Sequence, residues 1–245
     1  MKYYQNLAPL SVFSLKEAVE AIGNEANAKS YLTTICRKGL IRRVKKNLYS
    51  VVNPVNGEDT SSHFVIASHI TENSFISFRS AFEFYGFSKE PLRKVQVSST
   101  KRFLDFDYEG RRYHCVWISN LKQVDLIEGA KVTSLERTIV DSVNSLGREL
   151  NTKELLEHLF LIGHVDEKRL KEMLLEYDKD ILFRKVGYVL SHFKEQIGLS
   201  DGFFSFCKEH SNVANYGPLS YEELESLEFV SEWGLYAYKD LSGLL

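Results

Sequence analysis

Gly39-Leu40-Ile41-Arg42-Arg43-Val44-Lys45-Lys46-Asn47-Leu48-Tyr49-Ser50-Val51-Val52 is the stretch that decides the reading of this chain. Two β-branched and aromatic runs, 40–44 and 48–52, flank Lys45-Lys46-Asn47, the pattern of a β-hairpin with a basic tip. Just upstream the period is helical. Ala28, Tyr31, Leu32, Ile35 and Cys36 recur at i, i+3, i+4, i+7 and i+8, and Gly39 supplies the stop. Further upstream, Ser14-Leu15-Lys16-Glu17 has the S-x-x-E form of a capping box, opening a helix along Leu15, Ala18, Val19 and Ile22 that Gly23 ends. Helix, turn, helix and hairpin in this order predict a winged helix-turn-helix over residues 1–55, with the second helix as the reader of a major groove.

Charge agrees with that expectation. The whole chain is weakly acidic, with a formal net charge of −2 over 245 residues and a pI near 6.4. Yet no Asp or Glu occurs between Ala26 and Gly57, where Lys29, Arg37, Lys38, Arg42, Arg43, Lys45 and Lys46 contribute +7, so the rest carries −9. Such segregation predicts one module that meets phosphate on an otherwise acidic body. On a helical wheel Ala26, Ser30, Thr33 and Arg37 lie opposite the apolar stripe, flanked by Lys29 and Thr34. Lys29, Ser30, Thr33 and Arg37 are therefore the candidate reading residues, and Arg42, Arg43, Lys45 and Lys46 the candidate phosphate clamps of the wing. The alternative is a solvated helix face and a solubility device, although such surfaces ordinarily mix signs.

Asn53-Pro54-Val55-Asn56-Gly57-Glu58-Asp59 is rich in turn formers and predicts a boundary, with a second, mixed α+β domain over 60–245 that ends in several helices. Helices are expected over 61–70 and 78–85. Strands are expected over 94–98, 103–108 and 113–118, the last two joined at Glu109-Gly110, and apolar stripes from Ser134 onward predict packed helices. Glu222, Glu223, Glu225, Glu228 and Glu232 make an acidic edge or a solvated face, and residues 233–238 read as a terminal strand. Arg93, Lys94, Lys101, Arg102, Arg111 and Arg112 fall in the β region as a possible second basic patch, extending a DNA footprint or meeting RNA.

Catalytic signals are sparse, and a non-enzymatic protein without a metal or cofactor is expected. Asp105-Phe106-Asp107, preceded by Ser98-Ser99, has the form of a metal-binding D-x-D. On a strand, however, Leu104, Phe106 and Tyr108 would face in while Asp105, Asp107 and Glu109 face water. A nuclease or nucleotidyltransferase using Asp105 and Asp107 as metal ligands stands as the alternative function, and a winged helix used only for protein contact as a third. Asp166-Glu167-Lys168 resembles a nuclease centre, but Asp is a normal helix N-cap there. Cys36, Cys115 and Cys207 are too scattered for a disulfide framework, and Cys207 with His210 lacks a second ligand pair. No stretch approaches the ~20 apolar residues of a bilayer span and no basic-then-apolar leader opens the chain, so a cytoplasmic protein is expected.

The chain also resembles the AbiEi-type antitoxins of type IV toxin–antitoxin systems, which serve abortive infection in phage defence. The resemblance rests on Phe13-Ser14, Ala18, Gly23, Ala28 and Leu32, and above all on residues 39–49, where the family reads G-L-I-x-R-V-x-[RK]-G-x-Y and this chain has Asn47 for the glycine. Further on it is carried by Phe75-Ile76-Ser77-Phe78, Ala81 and Gly86, by Ser134–Asp141, and by Trp233-Gly234-Leu235. It implies a transcriptional repressor of its own operon, acting on double-stranded operator DNA with inverted repeats. It also implies an antitoxin that neutralises a nucleotidyltransferase-like toxin without a stable complex.

Overall fold

The computed structural model describes residues 3–212, 214, 216–221 and 224–244; Glu222 and Glu223 of the acidic run lie outside them. Among the described residues the protein is a mixed α+β fold with eleven α-helices and three sheets. None of those helices is long and apolar enough to cross a membrane.

The chain forms two compact units. The first comprises Met1–Ile76, Arg93–Asn120 and Val124–Val132. It opens with α1 (Tyr4–Leu7), β1 (Val12–Ser14), α2 (Leu15–Ile22), α3 (Glu25–Arg37), β2 (Ile41–Lys45) and β3 (Leu48–Val51). The capping box forms as its spacing predicts. The Ser14 amide donates to Glu17 Oε2 at 2.7 Å, and the Glu17 amide donates to Ser14 Oγ at 3.3 Å. Gly23 closes α2 at φ +91°. Leu15 and Ala18 of α2 and Ala28, Leu32 and Ile35 of α3 bury against Phe13, Ile41 and Val51 in one small core. The hairpin turns where Asn47 takes φ +66°, a conformation Asn tolerates better than most residues. Within these first residues the structure adds a strand that the pattern does not predict: β1 pairs antiparallel with β3, giving a three-stranded sheet of order β1-β3-β2.

The same unit continues past the expected boundary at 55 through α4 (His63–Ser68) into a six-stranded sheet. Its strands are β4 (Phe75–Ile76), β5 (Lys94–Ser99), β6 (Phe106–Tyr108), β7 (Arg111–Trp117), β8 (Val124–Ile127) and β9 (Ala130–Thr133), in the order β6-β7-β5-β4-β9-β8. Two Glu-Gly pairs make its tight turns. Glu109 and Gly110 (φ +46° and +72°) join β6 to β7, and Glu128 and Gly129 (φ +49° and +80°) join β8 to β9. Both central residues of such a turn need positive φ if the hairpin is to follow the strands' twist.

The expected strand over 103–108 starts late. The ladder begins only at Phe106, so the predicted alternation fails before it: Leu104 is 91% exposed and Asp105 turns toward β7.

The second unit comprises Ser77–Leu92, Leu121–Gln123 and Thr133–Leu245. It contains α5 (Phe78–Phe84), α6 (Leu135–Asn144), α7 (Thr152–Leu159), α8 (Glu167–Tyr177), α9 (Asp180–Ser191), α10 (Lys194–Ile197), α11 (Asp201–Glu209) and the small sheet β10 (Gly217–Pro218), β11 (Glu228–Val230) and β12 (Leu235–Ala237). The helical stripes from Ser134 onward meet in a single core that includes Leu155, Leu170, Phe183, Val189, Phe203 and Trp233. The predicted terminal strand is β12, paired on both sides.

Gly187 sits inside α9 because Trp233 leaves no room for a side chain: a Cβ there would fall 2.3 Å from the Trp233 ring and 3.2 Å from Cys207 Cβ. Gly187→Ala should therefore destabilise the protein by about 1–3 kcal/mol of overpacking, even though Ala is the better helix former. Thermal unfolding followed by circular dichroism reads this as a midpoint several degrees lower; an unchanged or raised midpoint would show that the ring moves aside freely.

Candidate nucleic-acid interface

Helix α3 is started by Asn24, whose side-chain oxygen accepts the Asn27 amide at 3.1 Å. With Ala28, Leu32 and Ile35 buried, Ala26, Lys29, Ser30, Thr33, Thr34 and Arg37 all lie exposed on the outward side. The predicted reading residues thus share one accessible face. Two hydroxyl protons are already committed, since Thr33 Oγ1 donates to the Lys29 carbonyl at 2.9 Å and Thr34 Oγ1 to the Ser30 carbonyl at 3.0 Å. Each oxygen keeps its lone pairs as an acceptor, suited to amino groups of base edges. Lys29 is less available than its sequence position suggests, because Glu25, one turn earlier, holds its ammonium at 2.6 Å. Glu25 lies one residue outside the acid-free run that the charge argument used.

The hairpin divides its four cations. Arg42 turns back onto its own unit, donating to the Gly57 carbonyl and pairing with Glu109 at 3.2 Å. Lys45 lies over the Phe103 and Phe106 rings, 5.0 and 5.4 Å from their centroids, and burial pulls its pKa down. Arg43 and Lys46 are exposed. A β-bulge between Arg43 and Lys45 contributes to this split, since it breaks the simple in-out alternation of β2. Arg43 and Lys46 are thus the exposed cations of the hairpin, while Arg42 and Lys45 fasten it to the rest of the unit.

The six residues of the possible second basic patch do not form one cluster. Arg93, Lys94, Arg111 and Arg112 gather at the start of the parallel pair β5 and β7, where Lys94 lies beside Arg112. Arg112 is there paired with Asp107 at 3.2 Å and Asp105 at 3.8 Å. Lys101 and Arg102 follow the opposite end of β5, roughly 15–20 Å along the strand at ~3.3 Å per residue. Arg102 lies over Trp117, 5.8 Å from its centroid.

The carboxylates of the D-x-D run are engaged by protein groups. Asp105 accepts from the Cys115 amide at 3.0 Å and meets His114 Nδ1 at 2.7 Å. Burial would raise the Asp105 carboxyl, but these hydrogen bonds and the charge of Arg112 outweigh it and hold the group below the usual range. Ser99 Oγ is spent on Thr71 and on the backbone of Lys101, rather than shaping a phosphate-binding turn. A cleft of about 480 Å³ beside β6 is lined by Arg42, Asp59, His63, Tyr108, Glu109 and Arg111. Its charges are largely satisfied internally: Tyr108 donates its hydroxyl to Asp59, and Arg42 holds Glu109. Burial, then the nearby charge of Arg111, pushes His63 down to about 4.

In the second unit Asp166 caps α8 through the Lys168 and Arg169 amides, and Glu167 pairs with Lys171 at 2.6 Å, so that run is a helix start. Cys207 is buried, its thiol pushed up to about 12, among the aromatic rings around α11. Of the acidic tail, Glu232 pairs with Lys208 and Glu228 with Lys239. Among the described residues no three His, Cys, Asp or Glu side chains come together as a metal-holding group.

No protein-family model matches the chain, and no curated protein does. Among solved structures, the crystal structure of the Rv2827c protein from Mycobacterium tuberculosis superimposes with a TM-score of 0.65 at 14% sequence identity, covering 95% of this chain and 88% of that one. The likeness is one of fold.

Proposed function

We propose that residues 1–55 are a winged helix-turn-helix that binds double-stranded operator DNA with inverted repeats, and that the protein represses its own operon. The observation that carries this reading is the outward face of α3, with Ser30, Thr33 and Arg37, next in sequence to a hairpin presenting Arg43 and Lys46, in a stretch free of Asp and Glu. A helix presenting small hydroxylated residues approaches base edges closely, while flanking cations hold phosphates. The antitoxin role, directed at a nucleotidyltransferase-like toxin without a stable complex, rests on the AbiEi resemblance at 39–49, 134–141 and 233–235. In this reading the protein is cytoplasmic, performs no catalysis and needs no cofactor.

Footprinting of the DNA upstream of its own gene tests the proposal. Protection of inverted half-sites spaced by whole helical turns, ~34–36 Å centre to centre, is the expected result. No protection in excess competitor DNA would overturn it.

A further inference from the structure

Lys101 and Arg102 belong to a stretch, Pro91–Leu104, that contains no acidic residue, and both are exposed. The loop that carries them is held firmly. Ser99 Oγ accepts the Lys101 amide at 3.1 Å and donates to the Lys101 carbonyl at 2.9 Å, while the Phe103 amide donates to Cys115 Sγ at 3.5 Å. Phe103 packs edge-on against Phe106, which stacks on Tyr113 at 4.9 Å. Arg102 rests over Trp117, itself 53% exposed.

The wing reaches this loop. Lys45 lies over Phe103 and Phe106, so Lys46 is one residue beyond a contact whose other side is one residue beyond Arg102. With ~3.8 Å between successive Cα atoms, the charged ends of Lys46 and Arg102 fall well within one ~34 Å turn of duplex. The acids that follow are engaged along β7, Asp105 by His114 and the Cys115 amide and Asp107 by Arg112.

We infer that Lys101 and Arg102 join Arg43 and Lys46 in one cationic strip that grips the phosphate backbone of double-stranded DNA beside the groove read by α3. The inference rests on the DNA-binding reading above and extends its footprint from the wing onto the loop after β5. It excludes Arg93, Lys94, Arg111 and Arg112, which lie at the other end of that strand. A cation fixed on a braced loop loses little conformational freedom on binding, so each phosphate contact retains more of its gain.

Full-length protein is compared as wild type, K101E/R102E, K101A/R102A, R43A/K46A and R111A, on its own upstream DNA and on an unrelated duplex of equal length. Thermal unfolding of each variant serves as the control for folding. K101A/R102A should weaken binding to both duplexes roughly 10- to 100-fold and make the plot of log affinity against log salt shallower by about 1.8. K101E/R102E should lose more, and R111A should bind as wild type. Should both Lys101/Arg102 variants bind and respond to salt as wild type while R43A/K46A loses affinity, the strip is wrong and the DNA reading stands. Wild type that binds neither duplex overturns both. With a single-stranded RNA of equal length run alongside, a loss in the Lys101/Arg102 variants confined to that RNA, with DNA affinity intact, overturns the strip in favour of a different polyanion.

Discussion

Replacing Arg37, Arg43 and Lys46 together by alanine is expected to lower operator affinity about 1,000-fold near 0.1 M salt and to flatten its salt dependence by nearly three units of slope. Each of these cations is exposed, one at the end of α3 and two on the hairpin. Each phosphate neutralised releases about 0.9 of a counterion, and a lost contact costs on the order of tenfold. Folding should be spared, because none of the three belongs to the small core formed by Phe13, Leu32, Ile35 and Ile41. The paired experiment, R42A/K45A, should behave differently. Arg42 holds Glu109 and Lys45 covers Phe103 and Phe106, so their loss loosens the wing and lowers stability, with a smaller change in the salt slope. Gel-shift titration at several salt concentrations, alongside thermal unfolding, separates the two outcomes. Equal slope losses for both sets would contradict the division of the wing.

The second large effect is one of stability and lies in the second unit. Arg137 is fully buried in α6, with Nε 3.1 Å from Asp141 Oδ2 and Nη1 donating to the Lys122 carbonyl. Asp141 also accepts the Tyr177 hydroxyl from α8. Burial pushes the Asp141 carboxyl up, and Arg137 and Tyr177 pull against it. Arg137→Met removes the main opposing charge and leaves a buried carboxylate that must stay uncompensated or take a proton. A cost of about 3–5 kcal/mol is expected, hence a midpoint lower by roughly 10 °C. Replacing Asp141 by Leu in the same chain should recover part of the loss, since two apolar residues leave no stranded charge. An Arg137→Met midpoint within a degree or two of wild type would show that the pair contributes little. The residues proposed to contact DNA all belong to the first unit, so below its unfolding temperature this variant should keep its operator affinity.

Local signals in the sequence translated directly into structure. The Ser14 and Glu17 pair, Gly23, the stripe of α3, Asn47 and the Glu109-Gly110 turn each act within a few residues, where spacing alone states the geometry. The second Glu-Gly turn, at 128–129, carries the same signal and marks the β8–β9 hairpin, which sequence reasoning missed. Strand β1 is three residues long, too short to show a period, and became a strand only through its partner β3. The six-stranded sheet joins β4 with β5 and β9, and runs β5 parallel to β7, pairings between distant segments that leave no local trace. The site was legible to the same degree. A wheel placed Ser30, Thr33 and Arg37 on one face, but nothing near Arg42 or Lys45 announces Glu109 or Phe103 as partners. Leu104 and Asp105 exchanged their expected orientations because alternation holds only where a ladder exists, and theirs begins at Phe106. The stretch Ser134–Asp141 contains the buried Arg137 and Asp141 pair, which with the Tyr177 hydroxyl ties α6 to α8 inside the second unit.

The claim that this protein is a DNA-binding repressor is tested most directly by titrating salt against the binding of wild-type protein to its own upstream DNA. About four to six phosphates held per protomer predict a straight line of log affinity against log salt with a slope of roughly −4 to −5. A nearly flat line, or affinity no greater for that DNA than for an unrelated duplex of equal length, would contradict it.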